Sequence, residues 1–76
     1  MSSLHNLRPE RVIKTFERAG WRVVRQTGSH VHLKKEGNPN ILSIPVHKGK
    51  FVKQGLLRNQ IDKARLTIEE FLRLYS

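Results

Sequence analysis

The sequence contains no cysteine. Disulfides and thiolate zinc sites are therefore excluded as staples, and 76 residues have to hold together around one small hydrophobic core. Long apolar runs are missing too; none approaches the ~20 residues that span a bilayer. The stretch MSSLHNLRPE lacks the basic-then-apolar layout of a signal peptide, so the expectation is a soluble, cytoplasmic protein. Aromatic residues are few, and Trp21 and Phe16 read as core residues better than as platforms for stacking bases. Acids are the scarcest charged class: 6 Asp and Glu stand against 15 Lys and Arg, for a formal net charge of +9.

That excess is concentrated. Between residues 22 and 58 lie Arg22, Arg25, Lys34, Lys35, Lys48, Lys50, Lys53 and Arg58, with Glu36 as the single acid. The carboxy-terminal stretch is balanced, with Lys63, Arg65 and Arg73 against Asp62, Glu69 and Glu70. A basic centre of this kind suits a polyanion, most often nucleic acid, through phosphate contacts and counterion release. A solubilising surface or an acidic protein partner would use the same field, so charge alone does not choose.

The chain reads as one domain, residues 1–76, with residues 1–7 as a flexible lead-in. Pro9 suits a first helical turn, and Val12, Ile13, Phe16 and Ala19 then recur at helical spacing until Gly20 stops the helix. From Trp21 to Gln26 the period changes, with Trp21 and Val23 alternating with Arg22 as in a strand. Gly28-Ser29 makes a turn. His30 to Lys34 then alternates, Val31 and Leu33 on one face, His30, His32 and Lys34 on the other. Glu36 to Asn40 is dense in turn residues. A third strand, Ile41 to Val46, sets Leu42, Ile44 and Val46 against Ser43 and Pro45; Pro45 puts that strand at an edge or at its own end. After the basic loop His47 to Lys50, a second helix carries Leu56, Leu57, Ile61 and Ala64. Thr67 with Glu70 forms a capping box that starts a short last helix. The order predicts an α+β fold: a three-stranded antiparallel sheet, helices over one face, the other face open.

Alternation places His30, His32, Lys34 and Ser43 on that open face. Three readings of the histidines compete. They are solvated surface residues, or metal ligands, or the acid–base groups of a site acting on a phosphodiester. A metal site is poorly supported, because no cysteine joins the His-x-His pair and Glu36 is the one acid near it in sequence. Acid–base chemistry fits better, since imidazole exchanges protons near neutral pH and RNA brings its own nucleophile, the 2′-hydroxyl. Neither a metal nor any other cofactor is expected. A nucleophile elbow is excluded because no helix follows Ser29, and HKGKFVKQG lacks phosphate-loop spacing. The helices are apolar on core-facing stripes alone, which gives no support to a membrane partner.

The ordered segments TGSHVHLKK, LSIPVHKGK and KQGLLRNQIDKARLTIEEFL resemble the HicA family of messenger-RNA interferase toxins, from about Pro9 to Leu72. The resemblance implies a fold like the double-stranded-RNA-binding domain. It also implies metal-independent endoribonuclease activity on messenger RNA and neutralisation by a HicB-type antitoxin. His30, the histidine of Gly-Ser-His, matches the family's catalytic residue, and Gly28 and Ser29 match the turn that supports it. Lys34, Lys48, Lys50 and Lys53 are candidates for binding RNA phosphates, and His32 and Ser43 for placing the substrate. Pro45, Val46 and His47 match a strand-ending motif. Two positions depart from the family: Gln54 stands where many members have proline, and Arg65 where glycine is common. The alternative from another class is a non-catalytic RNA-binding module of the same fold, and a third is a pure protein-interaction module.

Overall fold

The computed structural model describes residues 4–75. Their order is α1 (Pro9–Arg18), β1 (Arg22–Thr27), β2 (His30–Lys35), β3 (Asn38–Pro45), α2 (Gln54–Lys63) and α3 (Ile68–Tyr75). The strands form one antiparallel sheet in the order β1-β2-β3, with β2 in the centre. All three helices pack on one side of it, the arrangement of a double-stranded-RNA-binding domain with an added carboxy-terminal helix. The shortest dimension is 19 Å, which is two layers of secondary structure.

The period-two pattern decides the packing. Val31, Leu33, Leu42 and Ile44 are buried beneath the helices with Val12 and Phe16 of α1, Leu57 and Ile61 of α2, and Phe71 of α3. The Phe16 and Phe71 rings meet at 5.0 Å between centroids, so α1 and α3 are joined inside the core. At the surface the same two helices are clamped by Arg11, whose guanidinium lies 4.2 Å from the Tyr75 ring centroid and donates to the Tyr75 carbonyl.

β3 is an edge strand and ends at Pro45, where a missing amide costs no ladder bond. Its exposed edge is partly sealed by α2. The buried Gln60 accepts from the Ser43 amide at 3.0 Å, and Asn38 and Asn40 both donate to the Lys63 carbonyl at 3.1 Å. These bonds satisfy edge and helix-end groups that would otherwise face a dry interface.

Three sequence expectations need correction. The lead-in is not frayed over its described part: Leu4 and Leu7 join the core, and the Leu7 carbonyl accepts from the Val52 amide at 2.9 Å. Burying two leucines yields roughly 3–6 kcal/mol toward an ordering cost of about 1–2 kcal/mol per residue; residues 1–3 lie outside the described residues. The turn expected over Glu36–Asn40 is confined to Glu36-Gly37, and Asn38–Asn40 already belong to β3. Val23 does not share the buried setting of Trp21. Every residue of β1 is exposed, because this edge strand is paired on one side alone and meets only α1 among the helices.

Candidate functional site

The face away from the helices is organised by β2. His30, His32 and Lys34 project outward between the buried Val31 and Leu33, and cross-strand pairing supplies their neighbours. His30 lies between Thr27 of β1 and Pro45 of β3, and His32 lies between Arg25 and Ser43. Lys34 pairs with Arg22. The sequence left open whether His30 would oppose Pro45 or His47; the register selects Pro45.

Arg25 was not among the expected site residues, and the reason is a bulge. A β-bulge falls between Val23 and Arg25, and the extra residue turns Arg25 onto the same face as Arg22. Three residues apart in a regular strand, the two arginines would point to opposite faces. No local sequence feature marks that bulge, so parity counting alone misses the second arginine. The face therefore carries Arg22, Arg25 and Lys34 around its two histidines.

The turn that presents His30 has a defined geometry. Thr27 and His30 form the closing pair, Gly28 has φ 59°, and Ser29 does not share the positive φ. This is the sign pattern of a type II′ hairpin, which requires glycine at the first central position. The Ser29 carbonyl accepts from the Val46 amide at 2.7 Å, tying the turn to the chain leaving β3. His30 is thus held on both sides while its side chain stays exposed, with no side-chain hydrogen bond among the described residues.

The other expected residues fall into two groups. His32 and Ser43 are half-buried in the middle of the face, one cross-strand step apart. Lys34 lies four residues along β2 from His30, roughly 13 Å away at strand rise, and contacts a different part of any extended ligand. Lys48, Lys50 and Lys53 are exposed and lie beyond the end of β3. The His47–Lys50 segment is a turn, closed by the Lys50 amide on the His47 carbonyl at 3.1 Å, with Gly49 at φ 76°. Lys50 and Lys53 line a cleft of about 320 Å³ with Pro45, His47, Phe51 and Leu56. Pro45, the cross-strand partner of His30, is one wall of this cleft, so the cleft borders the histidine face. Among the described residues, no three His, Asp or Glu side chains gather closely enough to share a metal ion.

A family model described as the HicA toxin of bacterial toxin–antitoxin matches residues 9–66. The chain belongs to the HicA toxin family. A search of curated proteins found no match. The HicA match takes in α1, the whole sheet and α2, hence every residue of the histidine face and the basic loop. It stops before α3, although Phe71 of that helix is fully buried against the HicA core. As a HicA-family chain the protein is the toxin member of a toxin–antitoxin pair. No helix among the described residues is long and apolar enough to cross a membrane.

Proposed function

We propose that this HicA-family chain is a metal-independent endoribonuclease that cleaves messenger RNA, with His30 as its proton carrier. The observation that carries the reading is the position of His30. It points outward from a fixed hairpin end, on a face bearing Arg22, Arg25 and Lys34. RNA supplies the nucleophile. The 2′-oxygen loses its proton and bonds to the adjacent phosphorus. The bond from phosphorus to the 5′-oxygen breaks, and that oxygen takes up a proton. The products are a cyclic phosphate and a free 5′-hydroxyl. His30 takes the first proton or delivers the second, the two transfers for which imidazole is suited near neutral pH. The cations offset the negative charge that builds on the phosphate oxygens, which is the part of the barrier electrostatics lowers most. His32 and Ser43, side by side near the centre of the face, place the strand.

The same surface is the proposed contact of a HicB-type antitoxin, which would silence the toxin by covering His30. Expression in a bacterial host tests both parts. The wild-type chain is expected to arrest growth and deplete messenger RNA, and His30→Ala, accumulating as a folded protein, to relieve the arrest. The antitoxin is expected to restore growth and to shield His30 from diethyl pyrocarbonate. Undiminished arrest by His30→Ala contradicts the catalytic role, and a complex with fully reactive His30 contradicts the masking. Growth arrest with intact messenger RNA favours the non-catalytic RNA-binding module instead.

A further inference from the structure

Among the described residues, Phe51 is the one Phe, Trp or Tyr ring that is exposed, at 48 % of its surface; Phe16, Trp21 and Phe71 are buried and Tyr75 is half-buried. Its neighbours give that exposure a direction. Three adjoining concavities meet at the ring, and Lys50 lines all of them. Lys53 and His47 stand in the cleft that reaches Pro45, the cross-strand partner of His30. The Arg8 guanidinium lies 5.9 Å from the Phe51 ring centroid, yet the ring remains half open to solvent. Against these cations the single acid lining the three concavities is Glu10.

An apolar ring set among lysines is poorly suited to an apolar protein partner, whose approach would desolvate the ammonium groups. It is well suited to a nucleotide. A base stacks on the ring by its π-face while its phosphates meet the lysines, the combination by which single strands are held without sequence readout. A duplex offers phosphates but keeps its base faces stacked on each other, so it cannot use the ring.

We propose that Phe51 is a stacking platform for an unpaired base of the RNA strand, with Lys50 and Lys53 holding the phosphates beside it. This rests on the endoribonuclease reading and deepens it. Phe51 shares its cleft with Pro45, and Pro45 is about one strand spacing, roughly 5 Å, from His30, so a strand stacked on the ring can run on toward that histidine. Phe51 thereby selects single-stranded over double-stranded RNA.

The test measures binding and cleavage separately. Single-stranded 2′-O-methyl oligonucleotides, which lack the nucleophilic hydroxyl, carry one 2-aminopurine and report binding and stacking by fluorescence. A perfect 2′-O-methyl duplex is the comparison. Phe51→Ala is expected to weaken single-strand binding about tenfold or more while leaving duplex binding and the salt dependence unchanged. Phe51→Trp is expected to restore the affinity and quench 2-aminopurine at least as strongly as the wild type. Equal losses on single strand and duplex, or no loss on either, would overturn the inference. Cleavage of unmodified RNA keeps the two claims apart. A wild-type chain that cleaves RNA while Phe51→Ala binds it undiminished removes the platform and leaves the enzyme. Phe51-dependent stacking without cleavage removes the enzyme and leaves the platform. A chain that binds no RNA removes both.

Discussion

Arg65 follows α2 with φ 61°, in the left-handed region where a side chain costs about 1–2 kcal/mol. Its amide donates to the Asp62 carbonyl at 3.0 Å and the Leu66 amide to Ile61 at 3.2 Å, which completes a Schellman cap. The same cap closes α1, where Gly20 holds the position at φ 99° and the Trp21 amide reaches the Phe16 carbonyl. One chain thus contains the cap with and without glycine. Arg65→Gly is expected to raise stability by about 0.5–1 kcal/mol, the relief of strain less the greater entropy glycine loses on folding. Chemical denaturation would show this as a higher midpoint at unchanged slope, and a lower midpoint would contradict it.

At the scale of elements, the capping box of α3 is the clearest case of a local rule obeyed. The Glu70 carboxylate accepts from the Thr67 amide at 2.8 Å, and the Glu70 amide donates to the Thr67 hydroxyl at 3.0 Å. The bond from the Thr67 amide, then that from its hydroxyl, with Arg73 adding a smaller pull, hold the Glu70 carboxyl below its ordinary value of 4.5. A depressed folded value means stability that is present above the unfolded value and lost as pH falls through the folded one. Thermal melts should therefore show Glu70→Gln less stable than wild type at pH 7, with the gap closing below about pH 4.5. A gap of constant size across that range would remove the carboxylate from the account.

That box, the first helix and the outward histidines were legible because each is a pattern within one segment. Period two over His30–Lys34 fixed their side of the sheet before any pairing was known. What was not legible depends on partners distant in sequence. The bulge that brings Arg25 beside His32 exists only in the pairing of β1 with β2. Leu4 and Leu7 are isolated leucines without a period, and they find their place through Val52 and the core. Asn38 and Asn40 look like turn residues and serve instead as a bridge from β3 to the end of α2. Phe51 belongs to no period in the sequence, and its setting comes from the concavities that distant residues form around it.

For the molecule as a whole, the facing sides of the two layers are committed to the core and the outer surfaces to charge. Of the 15 Lys and Arg, Arg22, Arg25 and Lys34 lie on the sheet's open face and Lys48, Lys50 and Lys53 in the segment beyond β3, with further cations on the exposed sides of the helices. The proposed function assigns substrate binding to that surface and proton transfer to His30, the histidine at the hairpin end. The central claim is the second of these. Its most direct measurement is the cleavage rate of a defined messenger RNA by the purified chain, wild type against His30→Ala, each with and without EDTA. The account predicts a loss of about a hundredfold or more on His30→Ala, the usual worth of a positioned acid–base group, and no response to EDTA in the wild type. A His30→Ala protein that cleaves at the wild-type rate, or wild-type activity abolished by EDTA, would contradict it.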